Sequence, residues 1–132
     1  MNIWHMNGAG NDFMVMDARG LELDFAPLAR QLCALRGADG FMAVDHSETA
    51  DFRLHFYNSD GSRGEMCGNG SRCICRFAYE NRIAGETMMV QTDAGVVYGQ
   101  PGGRYGDADR QLDPAIGGHW FDRIFRQLWN LL

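Results

Sequence analysis

The sequence predicts an α+β domain with a largely antiparallel sheet. Short stretches that alternate apolar and polar residues, as strands do, recur over the first hundred residues. Two internal stretches have the three- and four-residue apolar spacing of helices instead. These helices do not alternate regularly with the strands, which argues against a parallel βαβ sheet.

Length and composition bound the class of protein. A chain of 132 residues with 45% apolar and 22% charged residues suits one compact globular domain. A net charge of -5 argues against nucleic acid or an anionic membrane as partner. No apolar run has the length of a membrane span, and the N-terminus lacks the features of a signal peptide. We therefore expect a cytoplasmic protein.

The N-terminal third is predicted as two strands and a helix. The strands are residues 2–6 and 13–17, and residues 7–12 are predicted to interrupt them as a loop. The helix runs from Phe25 to Arg36, with Pro27 in its first turn and Gly37 as its C-terminal cap.

The middle of the chain adds two strands, a turn and a helix. A strand is predicted over 41–44, and a second over 50–57, where Phe52, Leu54 and Phe56 share one face and Arg53, His55 and Tyr57 the other. Asn58 to Gly61 has turn composition. A helix is predicted from near Asn69 to Tyr79, buried on several sides because its apolar residues spread around it.

The chain after residue 86 divides into a hairpin and a tail of different character. Residues 87–91 and 96–98 are predicted to pair around a turn at 93–95. Residues 101–114 are rich in glycine, aspartate and arginine, with no recognisable period. The last stretch, 119–132, has a helical apolar stripe: Trp120, Phe121, Ile124, Phe125, Leu128 and Trp129. The predicted division is thus a domain over 1–100 and a divergent tail with an amphipathic helix over 101–132.

One cysteine lies in a segment suited to chemistry. Cys67 precedes Gly68, Asn69 and Gly70 at a predicted helix start, where free backbone N–H groups and the helix dipole favour a thiolate and can hold a carboxylate. A buried, inert Cys67 is the alternative, since free cysteine is often a small core residue. Core packing is the interpretation for the other cysteines: Cys33, Cys73 and Cys75.

Other motifs are weaker. Neither GxG segment continues to a dinucleotide site or a P-loop, and no Ser/His/Asp order stands out. The cysteines and histidines lack the spacing of a metal site, so we expect no metal. The chain contains no lysine, which leaves no residue to anchor pyridoxal phosphate.

Several segments together resemble diaminopimelate epimerase in order and spacing. They cover roughly residues 1–98 and lie at 8–13, 37–40, 56–62, 66–73 and 92–95. The resemblance implies a sheet wrapped around a central helix, in a domain that is normally present twice in the family and here once. It also implies a cofactor-independent isomerase that interconverts LL- and meso-diaminopimelate for lysine and peptidoglycan precursor biosynthesis. Cofactor-free proline racemases resemble this family in using two cysteine thiols, one to remove and one to deliver a proton. The segments 10–13 and 58–62 favour the diaminopimelate branch.

The resemblance also assigns roles to individual residues. Cys67 matches one of the two catalytic cysteines, and Asn11, Asn58, Gly68 and Asn69 match substrate-binding positions. The family's second domain, with the second cysteine, has no counterpart here. We therefore expect a monomer to be inactive. Two alternatives remain: a homodimer with two Cys67 thiols at one site, and a non-catalytic carboxylate-binding or degenerate domain.

Overall fold

The structure is a computed structural model. It describes residues 3–8, 10–65 and 68–99, with the backbone alone at 68 and 69. The strands are β1 (Ile3–Gly8), β2 (Asn11–Asp17), β3 (Gly40–Asp45), β4 (Phe52–Asn58), β5 (Met88–Thr92) and β6 (Gly95–Gly99). The helices are α1 (Phe25–Arg36) and α2 (Gly68–Glu80). The predicted tail over 101–132 lies outside the described residues.

The six strands form one mixed sheet in the order of the sequence. Neighbours pair antiparallel at β1–β2, β3–β4 and β5–β6, and parallel at β2–β3 and β4–β5. The α+β prediction is confirmed. Each parallel pair is joined by a connection that contains one helix, because a chain that re-enters in the same direction must first cross back.

Each face of the sheet carries one helix. Strands β2 and β3 are buried on both faces, and alternate residues of each strand therefore enter different cores. The core under α1 contains Met14, Met16, Phe41, Leu28 and Leu32, among others. The core under α2 contains Phe13, Val15, Met42, Ile74 and Phe77, among others. The predicted division of β4 is also confirmed, with Phe52, Leu54 and Phe56 in the α2 core.

Helix α2 is the one around which the sheet curves. It contacts β1 and β2 at one side of the sheet and β6 at the other. A flat sheet of six strands would be about 24 Å wide, far too wide for one helix to touch both sides. The predicted burial on several sides is confirmed, since no residue from Gly70 to Ala78 is exposed.

Helix α1 follows its sequence signals closely. It spans the predicted residues, and Gly37 ends it in the left-handed conformation at φ 64°, where its N–H donates to the Cys33 carbonyl. Leu28 and Leu32 are buried, whereas Leu35 is half exposed. No helix in the described part of the chain is long and apolar enough to cross a membrane.

The predicted loop over residues 7–12 is wrong. Asn7 pairs with Asp12, and Gly8 pairs with Asn11, so β1 and β2 continue almost to a tight hairpin. Gly10, at φ 94°, provides the positive φ that such a turn needs. Polar residues suggested a loop because their side chains favour turns, but here Asn7 and Asp12 satisfy each other across the hairpin.

Candidate active site

Two of the predicted substrate-binding residues lie at the same end of the sheet. Phe13 of β2 pairs with Gly40 of β3, and Gly40 pairs with Asn58 of β4. Asn11 comes two residues before Phe13, so Asn11 and Asn58 are both at the end where β2 begins and β4 finishes. Two strand spacings separate β2 from β4, which is about 10 Å across the sheet.

The first turn of α2 points to the same end. Strand β5 runs parallel to β4, so the connection that contains α2 must cross from the Asn58 end back to the Phe52 end. Trp4 and Phe77 confirm this direction, since their rings meet edge to face at 4.9 Å near the start of β1. From Gly68 to Phe77 the helix rises about 14 Å, and from Trp4 to Gly8 the strand spans about 13 Å. The N-terminus of α2 therefore lies toward the Asn11 end.

A hydrogen-bond network holds the hairpin that carries Asn11. The Asn7 side chain donates to Asp12 Oδ1 at 2.9 Å and accepts from the Gly10 N–H at 3.2 Å. The Asp12 N–H donates to Asp39 Oδ2 at 2.9 Å, and the Asp39 N–H donates back to the Asp12 carbonyl at 2.8 Å. Asn11 is half-buried between these fixed neighbours.

The turn after β4 fixes Asn58. Its side-chain amide donates to Ser62 Oγ at 3.0 Å, and its N–H donates to the Ser62 carbonyl at 2.8 Å. Ser62 in turn donates from its hydroxyl and its N–H to Asp60, and these bonds lower the pKa of the Asp60 carboxyl. The predicted turn at Asn58 to Gly61 is confirmed. It holds the Asn58 amide group at the end of the sheet.

Gly64 is a site residue that the sequence interpretation missed. A Cβ at this position would lie 2.5 Å from the Phe56 ring and 2.9 Å from Asn58 Oδ1. Because only glycine fits, the segment after the turn can lie against β4, where the Gly64 N–H donates to the Phe56 carbonyl at 3.0 Å. The sequence signal was available, because the segment 61–70 contains four glycines: Gly61, Gly64 and the two that follow Cys67.

A cavity of about 590 Å³ opens beside this segment on the α2 face of the sheet. Its apolar wall comes from β4 and β6, and its polar wall from the segment before α2 and the β5–β6 turn. Glu65 belongs to that wall, and Gly68, three positions later, begins α2. The lining residues are Leu54, Phe56, Arg63, Gly64, Glu65, Thr92, Asp93, Ala94 and Val97.

A charged cluster joins the two polar parts of the cavity wall. The Arg63 guanidinium binds Asp93 through Nε at 3.0 Å and Nη2 at 2.7 Å, and Arg53 also contacts Asp93. Arg63 further donates to the Tyr57 hydroxyl at 2.9 Å and lies over the Tyr57 ring. The hydrogen bonds from Arg63 lower the pKa of Asp93 and raise the pKa of Arg63. The cluster ties the β5–β6 turn to the chain that leads into α2.

The catalytic prediction at Cys67 lies outside the described residues. The structure describes residues before and after Cys67: Glu65 lies in the cavity wall, and Gly68 begins α2. Gly68 and Asn69 occupy the first turn of α2, so their backbone N–H groups belong to the positive end of the helix dipole. The roles of Cys67, Gly68, Asn69, Asn11 and Asn58 stay predictions.

The other three thiols are core residues, as predicted. Cys73 and Cys75 are buried in the α2 core, and Cys33 is buried in the α1 core on the opposite face of the sheet. Burial raises the pKa of Cys33 to about 11, with a smaller contribution from Asp39, and burial alone raises the pKa of Cys75 to about 11. Neither Cys33 nor Cys75 is suited to act as a base near neutral pH. Among the described residues, no group of three or more histidine, cysteine or acidic side chains could hold a metal ion.

Solved structures share this fold. A Bacillus anthracis phenazine biosynthesis protein of the PhzF family superposes with a TM-score of 0.63 at 23% identity, over 76% of this chain and 35% of that one. A methylitaconate-delta-isomerase superposes with a TM-score of 0.55 at 16% identity, over 74% of this chain and 34% of that one. At these identities the likeness defines the class of fold, and each structure is matched over about a third of its length.

Sequence comparison identifies the family within that class. The family model for diaminopimelate epimerase matches residues 3–100, and the chain therefore belongs to the diaminopimelate epimerase family. The diaminopimelate epimerase of Aquifex aeolicus is 41% identical over 111 residues, and that of Caldanaerobacter subterraneus is 44% identical over 102 residues. Each alignment covers 74% of this chain, but only 40% and 36% of those proteins. The chain thus spans about two fifths of the relatives that it matches.

Proposed function

We propose that this chain forms one half of the active site of a cofactor-independent diaminopimelate epimerase, a cytoplasmic enzyme of lysine biosynthesis. The observation that carries the proposal is the meeting of Asn11, Asn58 and the first turn of α2 at one end of the sheet. Family membership supports it independently. In this proposal Cys67 is the base, and Asn11, Asn58, Gly68 and Asn69 bind the amino-acid substrate.

The first turn of α2 suits a substrate with an α-carboxylate. The first N–H groups of a helix have no partner within it, and the helix dipole adds partial positive charge there. These donors bind the carboxylate and stabilise the charge that develops on it when the α-proton leaves. The same field favours the thiolate of a cysteine that immediately precedes the helix.

The reaction needs two thiols on opposite faces of the α-carbon. The Cys67 thiolate takes the α-proton and becomes a thiol, which leaves a carbanion stabilised by the held carboxylate. A second thiol then delivers a proton to the other face and becomes a thiolate, so the configuration inverts without net loss of a proton. The described thiols do not serve, because Cys73 and Cys75 are buried in the core and Cys33 lies under α1. The second thiol must therefore come from outside residues 1–132, and these residues alone, as a monomer, should not turn over.

Deuterium exchange tests the half-site directly. Diaminopimelate is incubated with the purified chain in D₂O, and deuterium at the α-carbon is measured by mass spectrometry. The comparison includes Cys67→Ala and, as a matched control, Cys33→Ala, which removes a thiol on the opposite face of the sheet. Exchange that Cys67→Ala abolishes and Cys33→Ala retains supports the proposal. Exchange that survives Cys67→Ala contradicts the assigned base.

Two further measurements separate the alternatives. If exchange occurs and the solution mass is that of a dimer, two Cys67 thiols flank one shared site in a homodimer related by twofold symmetry. If diaminopimelate binds but no deuterium enters, the chain is a non-catalytic carboxylate-binding domain that retains the family fold. Binding is measured by calorimetry, and Asn58→Ala should weaken it by about tenfold if this amide contacts the substrate.

A further inference from the structure

The outer face of β5 and β6 is an apolar surface that neither helix covers. Helix α1 packs on β2, β3 and β4, and α2 packs on the opposite face. Val96 and Tyr98 of β6 lie on the α1 side of the sheet, because Val97 between them packs with the α2 core. Val96 is 41% exposed and Tyr98 is 69% exposed. They pair with the half-buried Gln91 and Met89 of β5.

This surface is bounded on one side and open on the other. The loop after β3 reaches Gln91, whose amide oxygen accepts from Ser47 Oγ at 2.7 Å. On the other side, β6 is the last strand of the sheet among the described residues. It consists of Gly, Val, Val, Tyr and Gly, without the charges or proline that usually protect an exposed outer strand. Adjacent exposed apolar residues on such a strand indicate a surface on which another segment docks.

The chain itself contains a segment of matching length and chemistry. Residues 100–132 follow β6 and lie outside the described part of the structure. Their stripe from Trp120 to Trp129 would be about 14 Å long as a helix, close to the roughly 13 Å length of β6. Arg123 and Arg126 fall on the side opposite the stripe, where they would face water. The roughly 20 residues before Trp120 can extend over 60 Å, so reach is no obstacle.

We propose that the amphipathic segment 119–132 folds back on its own chain and docks its apolar stripe on the β5–β6 face, against Val96 and Tyr98. A second copy of the chain could supply the same stripe, but the tether favours the intramolecular contact. A tether of about 20 residues that can span the distance gives an effective concentration near millimolar, well above micromolar protein in solution. The tail thereby covers apolar surface on this single domain. This inference does not depend on the proposed epimerase chemistry.

Hydrogen exchange of the full chain tests the docking. The amides of 119–132 should be protected at micromolar concentration, and a tenfold increase in concentration should leave the protection unchanged. The double variant Val96→Ser/Tyr98→Ser should accelerate their exchange about tenfold, because the lost apolar contacts shift docking by that factor. Leu35→Ser is the matched control, since Leu35 is also exposed but lies on α1. Amides of β2 and β3 report that each variant remains folded.

The tail is probed from its own side in the same experiment. Phe125→Ser should expose 119–132 to exchange as the β6 double variant does, whereas Arg123→Ser should not. Three results would overturn the proposal. They are unprotected amides in 119–132, protection that rises with protein concentration as in a dimer, and protection that survives the Val96/Tyr98 double variant.

Discussion

The two faces of the sheet use alternate residues of the same strands, yet they have different tasks. Under α1, the core is closed by Leu28 and Leu32 packed on Met14 and Met16. Under α2, the core surrounds a helix whose N-terminus lies at the candidate site, and a cavity opens beside it. The difference indicates that the α1 face stabilises the strands, whereas the α2 face also positions the proposed chemistry.

The largest expected effect on stability comes from truncating one core side chain under each helix, which tests whether the two faces differ in function. Phe77→Ala in α2 should cost about 3–5 kcal/mol, because it leaves a cavity and removes the ring contact with Trp4. Leu28→Ala in α1 should cost about 2–5 kcal/mol. Both are measured by urea unfolding. In the remaining folded molecules, Phe77→Ala should slow thiol labelling of Cys67 at neutral pH, and Leu28→Ala should not. Equal effects on labelling would remove the distinction between the faces.

Alkaline pH should destabilise both faces through their buried thiols. Folding raises the pKa of Cys33 and of Cys75 to about 11, above the value of about 8.5 for a free thiol. The contribution of the two protonated thiols to the free energy of unfolding is thus full below pH 8.5. It is lost as pH rises from 8.5 toward 11, because in that range these thiols ionise only in the unfolded chain. Each thiol should contribute a loss of about 1.4 kcal/mol per pH unit.

The two thiols can be distinguished by substitution. Cys33→Ala and Cys75→Ala should each reduce this alkaline slope by up to about 1.4 kcal/mol per pH unit, measured as the free energy of unfolding at pH 8, 9 and 10. A slope that neither variant changes would show that these thiols do not ionise on unfolding in the expected range.

The turn that holds Asn58 lies against α1 at Gly61, and Gly61→Ala tests whether this contact matters for stability. Gly61 has φ 88°, and a Cβ there would lie 2.8 Å from the Ala26 carbonyl and 2.7 Å from Arg30 Nη1. Backbone strain and collision together should cost about 1–3 kcal/mol. Gly10→Ala is the matched control, since Gly10 has φ 94° but open space around it, and should cost about 1 kcal/mol. Equal losses in thermal unfolding would show that contact with α1 is unimportant.

The smallest effect is expected at the charged cluster in the cavity wall. Asp93→Asn should cost about 0.2–1 kcal/mol, because the ion pairs with Arg63 and Arg53 are partly exposed to water. Since folding lowers the pKa of Asp93, its contribution should be present above pH 4 and be lost as pH falls below that value. The difference between the variant and the wild type should therefore be full at pH 7 and smaller at pH 2.5. An equal difference at both pH values would indicate a loss other than that of charge.

Local signals predicted the elements well where one signal dominated. The helix from Phe25 to Arg36 was predicted to the residue, because apolar spacing and the Gly37 cap agree. The alternation of Phe52, Leu54 and Phe56 fixed the faces of β4 in the same way. The hairpin at residues 7–12 was predicted wrongly, because cross-strand pairing between Asn7 and Asp12 overrides the turn preference of polar residues.

The same distinction between local signals and long-range contacts applies to the candidate site. The resemblance to the family named Asn11 and Asn58, but it gave no physical reason for them to meet. Gly64 escaped notice because its importance comes from the approach of Phe56, eight residues earlier in the chain. The partners of Asp93, 40 and 30 residues away in sequence, could not be read from local pattern either.

The sequence by itself determined the α+β class, the family, and the cysteine worth testing, because periodicity, caps and motifs are local properties of the chain. Only the tertiary structure decided that the sheet is mixed, that Asn11 and Asn58 share one end of it, and that the three described thiols are buried. It also left Val96 and Tyr98 without a helix above them among the described elements. Register between distant strands and the choice of face are set by packing across the whole sheet, which no short window of sequence contains.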